Sequence, residues 1–106
     1  MQIKNLFSNI PETIPNEIFE DLLVNDNLKI ERILSLGQAT PQDTWFDQDR
    51  DEWVVLLQGR ARLKFVGESI SVDMRPGDYL FIPAHKKHRV EWTDPQKVSI
   101  WLALHF

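Results

Sequence analysis

The chain has 106 residues, with 12 Lys and Arg against 16 Asp and Glu, and it has no cysteine. That length suits one domain around one core. A formal charge of -4 supplies no general attraction for a phosphate backbone, and the absence of thiols excludes disulfides, thiolate nucleophiles and zinc–thiolate sites.

In chain order, residues 1–27 read as an extended arm plus an edge strand. Pro11 and Pro15 hold the arm extended, Phe19–Val24 is apolar enough for the strand, and Asn25-Asp26-Asn27 supplies a turn. Ile3, Leu6, Phe7 and Ile10 have the spacing of one amphipathic helical turn as an alternative. From residue 28 onward, Gly37, Gly59, Gly67 and Pro76-Gly77-Asp78 divide the chain into short runs rich in Val, Ile, Leu, Phe and Trp. These runs predict strands at 28–36, 52–58, 61–66, 79–82, 88–93 and 98–106, and so an all-β domain over residues 28–106. Leu63 and Phe65, then Ile70 and Val72, alternate about Gly67 as a hairpin with one solvated face. Trp53–Leu57 and Ser99–Leu104 are apolar on both faces, which predicts cover on both sides by a second sheet or a second subunit. A homodimer is the expectation. No apolar run approaches the roughly 18 residues of a membrane span, and the N-terminus lacks a basic start before an apolar run. A cytoplasmic location with no membrane or nucleic-acid partner is therefore expected.

Chemistry has few places to reside. Of three histidines, His85 and His88 share the segment Ile82-Pro-Ala-His-Lys-Lys-His-Arg-Val90. Pro83 ends one strand and His88 opens the next, with Val90 and Trp92 assigned to its face. A buried, hydrogen-bonded imidazole is the plain reading and a ligand or proton carrier the sharper one. The stretch Asp43–Glu52 carries five carboxylates in ten positions, most of them read as loop charges. Glu52 differs because alternation puts it on the face of Val54 and Leu56, where an unpaired charge is very costly. It needs a salt bridge, a proton or a metal. Trp53 and Trp101 read as packing. Lys86, Lys87 and Arg89 read as a solvated rim, able at most to draw an anion to its mouth.

Two spacings resemble the sequence boxes of the cupin superfamily. Glu52 and Gly59, with six residues between them, resemble the end of the first box, G-x5-H-x-H-x3,4-E-x6-G. Gly77, Pro83 and His88 resemble the second, G-x5-P-x-G-x2-H-x3-N, with a short hairpin between the boxes. The resemblance implies a small single-domain cupin, a jelly-roll barrel of two packed sheets (a double-stranded β-helix), commonly dimeric, with a small-molecule pocket inside. It also implies Glu52 and His88 as ligands of a divalent metal. The paired histidines of the first box are absent. With a four-residue spacer their slots fall on Trp45 and Asp47, and with a three-residue spacer on Phe46 and Gln48. The first alternative gives Asp47, Glu52 and His88 as metal ligands, with His105 or His85 as a fourth. An oxygen-rich set of that kind suits manganese, iron or magnesium better than copper, with nickel or zinc also admitted. Trp45, Tyr79 and Trp92 would then wall the pocket around Asp47, Glu52 and His88. His85 stands where the family has glycine and Trp92 where it has asparagine. The alternative, suggested by the lost histidines, is a metal-free binding or interaction module. Without metal, Glu52 and His88 would form a carboxylate–histidine pair able to move protons.

Overall fold

A computed structural model describes residues 1–106 as eight strands with no helix. They are β1 (Ile18–Val24), β2 (Lys29–Ser35), β3 (Glu52–Gln58), β4 (Ala61–Phe65), β5 (Val72–Met74), β6 (Tyr79–Ile82), β7 (His88–Thr93) and β8 (Ser99–His105). Five form one sheet in the order β1-β2-β8-β3-β6, and β5-β4-β7 form the facing sheet. All pairings are antiparallel, giving a two-sheet jelly-roll barrel. No helix is long and apolar enough to cross a membrane.

Alternation along the strands builds the core. Val54 and Leu56 of β3, Ala61, Leu63 and Phe65 of β4, and Trp101 and Ala103 of β8 are buried between the sheets, closed by Met74 and Ile82. Ile70, expected to point inward with Val72, is instead exposed, because it lies in the bend before β5. A second cluster, Ile14, Leu34 and Ile100, lies under the N-terminal arm. The arm forms no helical turn: Phe7 N–H bonds the Asn5 side chain, and Ser8 N–H the Asn5 carbonyl. Buried Arg32 fastens it instead. Its guanidinium donates to the carbonyls of Leu6 and Ser8 at 2.9 and 2.7 Å, and to both carboxylate oxygens of Glu20 at 2.9 Å. An arginine's fixed fork of donors suits this simultaneous use of backbone and carboxylate acceptors.

Two irregularities decide which side chains face inward. In β7, Leu63 pairs with Val90 but Arg62 pairs with Trp92, so Glu91 is an extra residue and the alternation reverses after Val90. Thr93 therefore enters the core at 1% exposure, and Trp92 turns out to the surface. In β3 the register shifts between Leu56 and Gln58, just before Gly59.

Candidate functional site

Between the sheets is a cavity of about 80 Å³ whose apolar wall includes Phe46, Leu63, Val90 and Trp101. Into it project Glu17, Glu31, Glu52, His88 and His105, with Gln48 beside them, but no lysine or arginine. Glu52 opens β3 and pairs in register with His105, and the next pairing across β8 brings His105 opposite Lys29 of β2. Three strands of the large sheet thus deliver Glu31, His105 and Glu52 at one end of the barrel. His88 comes from β7 of the other sheet and reaches Glu52 across the cup.

His88 Nε2 lies 3.9 Å from Glu52 Oε1, and both side chains are nearly fully buried. The imidazole stands near the rings of Phe46 and Phe65, with centroids at 5.6 and 5.8 Å. Its Nδ1 is 2.9 Å from the Lys86 carbonyl oxygen. A carbonyl only accepts, so Nδ1 carries the hydrogen, and in the neutral ring Nε2 presents its lone pair toward Glu52. Burial pushes the Glu52 carboxyl above the usual carboxylate value, and the Glu31 charge adds to this; His105 and His88 offset only part. Glu31 and His105 make a separate pair, with Oε1 to Nε2 at 2.9 Å. The Glu31 bond raises His105 against the effect of burial. Burial raises Glu31, but the His105 bond and the Lys29 charge outweigh it, leaving that carboxyl below its ordinary value.

The sequence-predicted residues divide sharply. Glu52 and His88 meet in the cup, and His105 joins them. Trp45, Asp47, Tyr79, Trp92 and His85 do not line it. Phe46 and Gln48, the three-residue-spacer alternative, face inward instead. The reason is a short bridge of residue 46 to β7: Phe46 N–H donates to the His88 carbonyl at 2.7 Å, and His88 N–H returns to Phe46 at 3.2 Å. This pairing turns Phe46 and Gln48 in and Trp45 and Asp47 out. Trp45 lies under the Arg89 guanidinium and Trp92 under that of Arg62. Tyr79 is outward on β6, against Trp53. Asp47 accepts from His85 at the rim, at 2.9 Å.

The metal set Asp47, Glu52 and His88 is therefore not assembled, and no three His, Asp or Glu side chains are grouped to hold one ion. Glu17 and Glu31 escaped the sequence reading, although Glu31 could have been found by the reasoning that flagged Glu52. It alternates with Ile33 and Ser35 on the inward face of β2.

His85 has φ of 64°, the left-handed region. Glycine adopts this without strain, whereas a Cβ there costs roughly 1–2 kcal/mol. His85→Ala and His85→Gly both lose the Asp47 bond, but only the second relieves the backbone. Urea unfolding should find the glycine variant more stable than the alanine variant by about 1 kcal/mol; equal stabilities would show that the position carries no strain.

The charges in the cup also set a pH dependence. Glu31, lowered in the folded chain, contributes stability above its ordinary value of 4.5 that is lost as pH falls through the folded value. His105, raised, contributes below its ordinary 6.5 and loses this as pH rises through its folded value. Glu52, and Glu17 raised likewise by burial, are most favourable below 4.5 and weaken as pH rises through their folded values. Three of the four groups therefore weaken toward alkaline pH, and Glu31 weakens only in acid. Melting temperature should be highest near pH 4.5 and fall toward about pH 8.5. A curve still rising across that interval would contradict these assignments.

Comparison with known proteins adds the relationship. The family model described as "Cupin domain" matches residues 34–105. A crystal structure from Ralstonia eutropha JMP134, of a protein provisionally named a mannose-6-phosphate isomerase, is 47% identical. It superposes with a TM-score of 0.95 over 99% of this chain and 97% of that one. A cupin superfamily protein from Desulfitobacterium hafniense DCB-2 is 21% identical, with a TM-score of 0.75 over 92% of this chain and 83% of that one. The protein TT1209 from Thermus thermophilus is 19% identical, with a TM-score of 0.79 over 99% and 96%. No curated protein matches the sequence significantly.

Proposed function

The chain belongs to the cupin family, and on that premise we propose that its cup binds a small uncharged hydroxy-carbonyl compound and moves protons at it with Glu52 and His88. The observation that carries this reading is the approach of Glu52 Oε1 to His88 Nε2 in a buried cavity, with the imidazole hydrogen fixed on the far nitrogen. A protonated Glu52 donates its proton to the carbonyl oxygen of the bound molecule. His88 Nε2 accepts the proton leaving the adjacent carbon, and the reverse transfers complete an isomerisation or exchange. Once Glu52 has donated, the imidazoles of His105 and His88 favour its ionised form, against burial and the Glu31 charge.

Proton transfer next to a carbonyl is the chemistry an aldose–ketose isomerase needs, which agrees with the provisional name of the Ralstonia protein. The phosphate half of such a substrate is less well served. The cup holds three carboxylates and no lysine or arginine; at the wider mouth, which Asp47 and Asp49 also line, Lys29 already lies 3.6 Å from Asp21 and 3.5 Å from Glu31, and Arg50 donates to the Asp26 carbonyl at 3.2 Å. Uncharged compounds are therefore favoured over phosphate esters. The second reading is a divalent ion, whether manganese, iron, nickel or zinc, on Glu52 and His88. In its favour is the orientation of Nε2, a common arrangement for metal-bound histidine. Against it, His105, which also lines the cup, is already paired with Glu31 at 2.9 Å.

Metal analysis and a melting screen separate the readings, because anything that binds the folded chain raises its melting temperature. We expect no stoichiometric metal and no shift with the four ions, but a shift with 1,3-dihydroxyacetone or D-mannose exceeding that with D-mannose 6-phosphate. Retained metal, or a shift with the ions alone, would overturn the acid–base reading.

A homodimer belongs to the same proposal. The outer face of the large sheet carries Trp53, Tyr79, Phe81 and Phe106, with Tyr79 and Phe81 more than half exposed, joined by cross-strand ring contacts. A second copy of this chain is the natural cover for two central strands apolar on both faces. Light scattering should give a dimer at micromolar concentration, with Phe81→Glu shifting it to monomer; a wild-type monomer throughout would remove the dimer.

A further inference from the structure

Glu17 lies just before β1, on a segment fixed from both sides. Ile14 is buried against Leu34 and Ile100, and Ile18 pairs with Leu34 in the sheet. The Gln38 amide also donates to the Ile14 carbonyl at 2.7 Å. The carboxyl of Glu17 borders the cavity on its β1 side, whereas Glu52 stands on β3, beyond β2 and β8. Nothing in the proton transfer described above uses it.

Its orientation follows from a chain of three groups. The Trp101 indole N–H, which can only donate, points at Ser35 Oγ at 3.2 Å. The Ser35 hydroxyl therefore receives there and donates its own hydrogen to Glu17 Oε2, at 2.5 Å. Ser35 is wholly buried and Trp101 nearly so, which leaves water no room to reverse the order. Oε2 is thereby committed as an acceptor. Oε1 has no hydrogen-bond partner in the protein and is the oxygen left for the cavity.

We propose that Glu17 is a second ligand-contacting carboxyl of the cup, with Oε1 as its working oxygen and an oxygen of the bound molecule as its partner. Burial raises the Glu17 carboxyl, the Ser35 bond offsets part of this and the Glu31 charge adds to it; because Oε2 is taken by Ser35, the acid form carries its hydrogen on Oε1. A donor at that position favours a carbonyl or hydroxyl acceptor and is incompatible with an ammonium group. The molecule is then held at two ends, by Glu17 on the β1 side and by the Glu52–His88 pair on the other.

This inference rests on the proposed hydroxy-carbonyl reading, and one experiment distinguishes their failures. The full chain, labelled with 13C at the glutamate carboxyl carbons, is titrated with 1,3-dihydroxyacetone and followed by NMR. Signals of both Glu17 and Glu52 should move. Glu17→Ala should weaken binding at least tenfold. Glu17→Gln, whose amide accepts from Ser35 and offers N–H to the cavity, should bind within threefold of wild type. A merely structural Glu17 would show neither the signal shift nor rescue by glutamine. If the Glu52 signal moves while Glu17 is silent and Glu17→Ala binds normally, the role of Glu17 is overturned and the cup's function stands. If neither signal moves, both are overturned.

Discussion

Glu52→Gln is expected to remove proton transfer in the cup and, at the same time, to raise the melting temperature. Both effects have one cause. The carboxyl is 7% exposed and is held above its ordinary value chiefly by burial, so its ionised form costs folding free energy at neutral pH. Glutamine keeps the shape and cannot ionise. It also gives up the attraction of His105 and His88, but burial is the larger effect. The stabilisation should therefore be smallest near pH 4.5, where the native carboxyl is protonated, and should grow toward pH 8. For a domain of this size each 1 kcal/mol moves the melting temperature by roughly 4–8 °C, so a modest gain is measurable. Loss of a positioned acid–base group costs roughly 10²–10⁴ in rate. Melting curves at several pH values, read beside exchange rates, check the two halves together. A variant that is less stable at pH 8 would mean that Glu52 is a structural ion-pair partner.

Gly59→Ala should be among the most damaging substitutions in the chain, although it adds one methyl group far from the cup. Gly59 turns the chain from β3 into β4 with φ of 93°, a left-handed conformation that a side chain strains. The space is also closed. An added Cβ would lie 2.6 Å from Ser99 Cα and closer still to its hydroxyl oxygen. Ser99 is wholly buried at the start of β8, and its hydroxyl donates to the Arg60 carbonyl at 3.2 Å. The clash is thus with backbone, and β8 must move away from β3. Those two strands carry His105 and Glu52 as partners, so the cup is disturbed as well. A loss of about 3–5 kcal/mol is expected, a large part of the 5–15 kcal/mol typical of such domains. Urea unfolding would check it, and a loss below 1 kcal/mol would show that the β3–β4 turn adapts.

Most of the fold was legible because burial here is periodic. In β3 the alternation Glu52, Val54, Leu56 survived folding intact, and Pro83 marked the strand end that puts His88 at the cup. The errors arose where periodicity is interrupted by something no single residue announces. One extra residue at Glu91 turned Trp92 outward. An irregular bridge between Phe46 and His88, made by backbone alone, chose Phe46 and Gln48 over Trp45 and Asp47. Glu17 was hidden for a different reason: its position depends on Ile14, Arg32 and Ser35, contacts between an arm without a repeating pattern and distant strands. His85 shows the converse case. The residue stands where the resembled box has glycine, and its own backbone lies in the left-handed region, which a Cβ strains.

The acid–base pair is tested most directly by solvent deuterium incorporation, followed by NMR on 1,3-dihydroxyacetone in D2O with wild type, Glu52→Gln and His88→Gln. Wild-type protein stripped by chelator should place deuterium on the carbon next to the carbonyl well above the buffer rate, and each substitution should reduce this by at least a hundredfold. Incorporation at the buffer rate by wild type, or equal incorporation by Glu52→Gln, would contradict the assignment of Glu52 and His88 as the groups that move the proton.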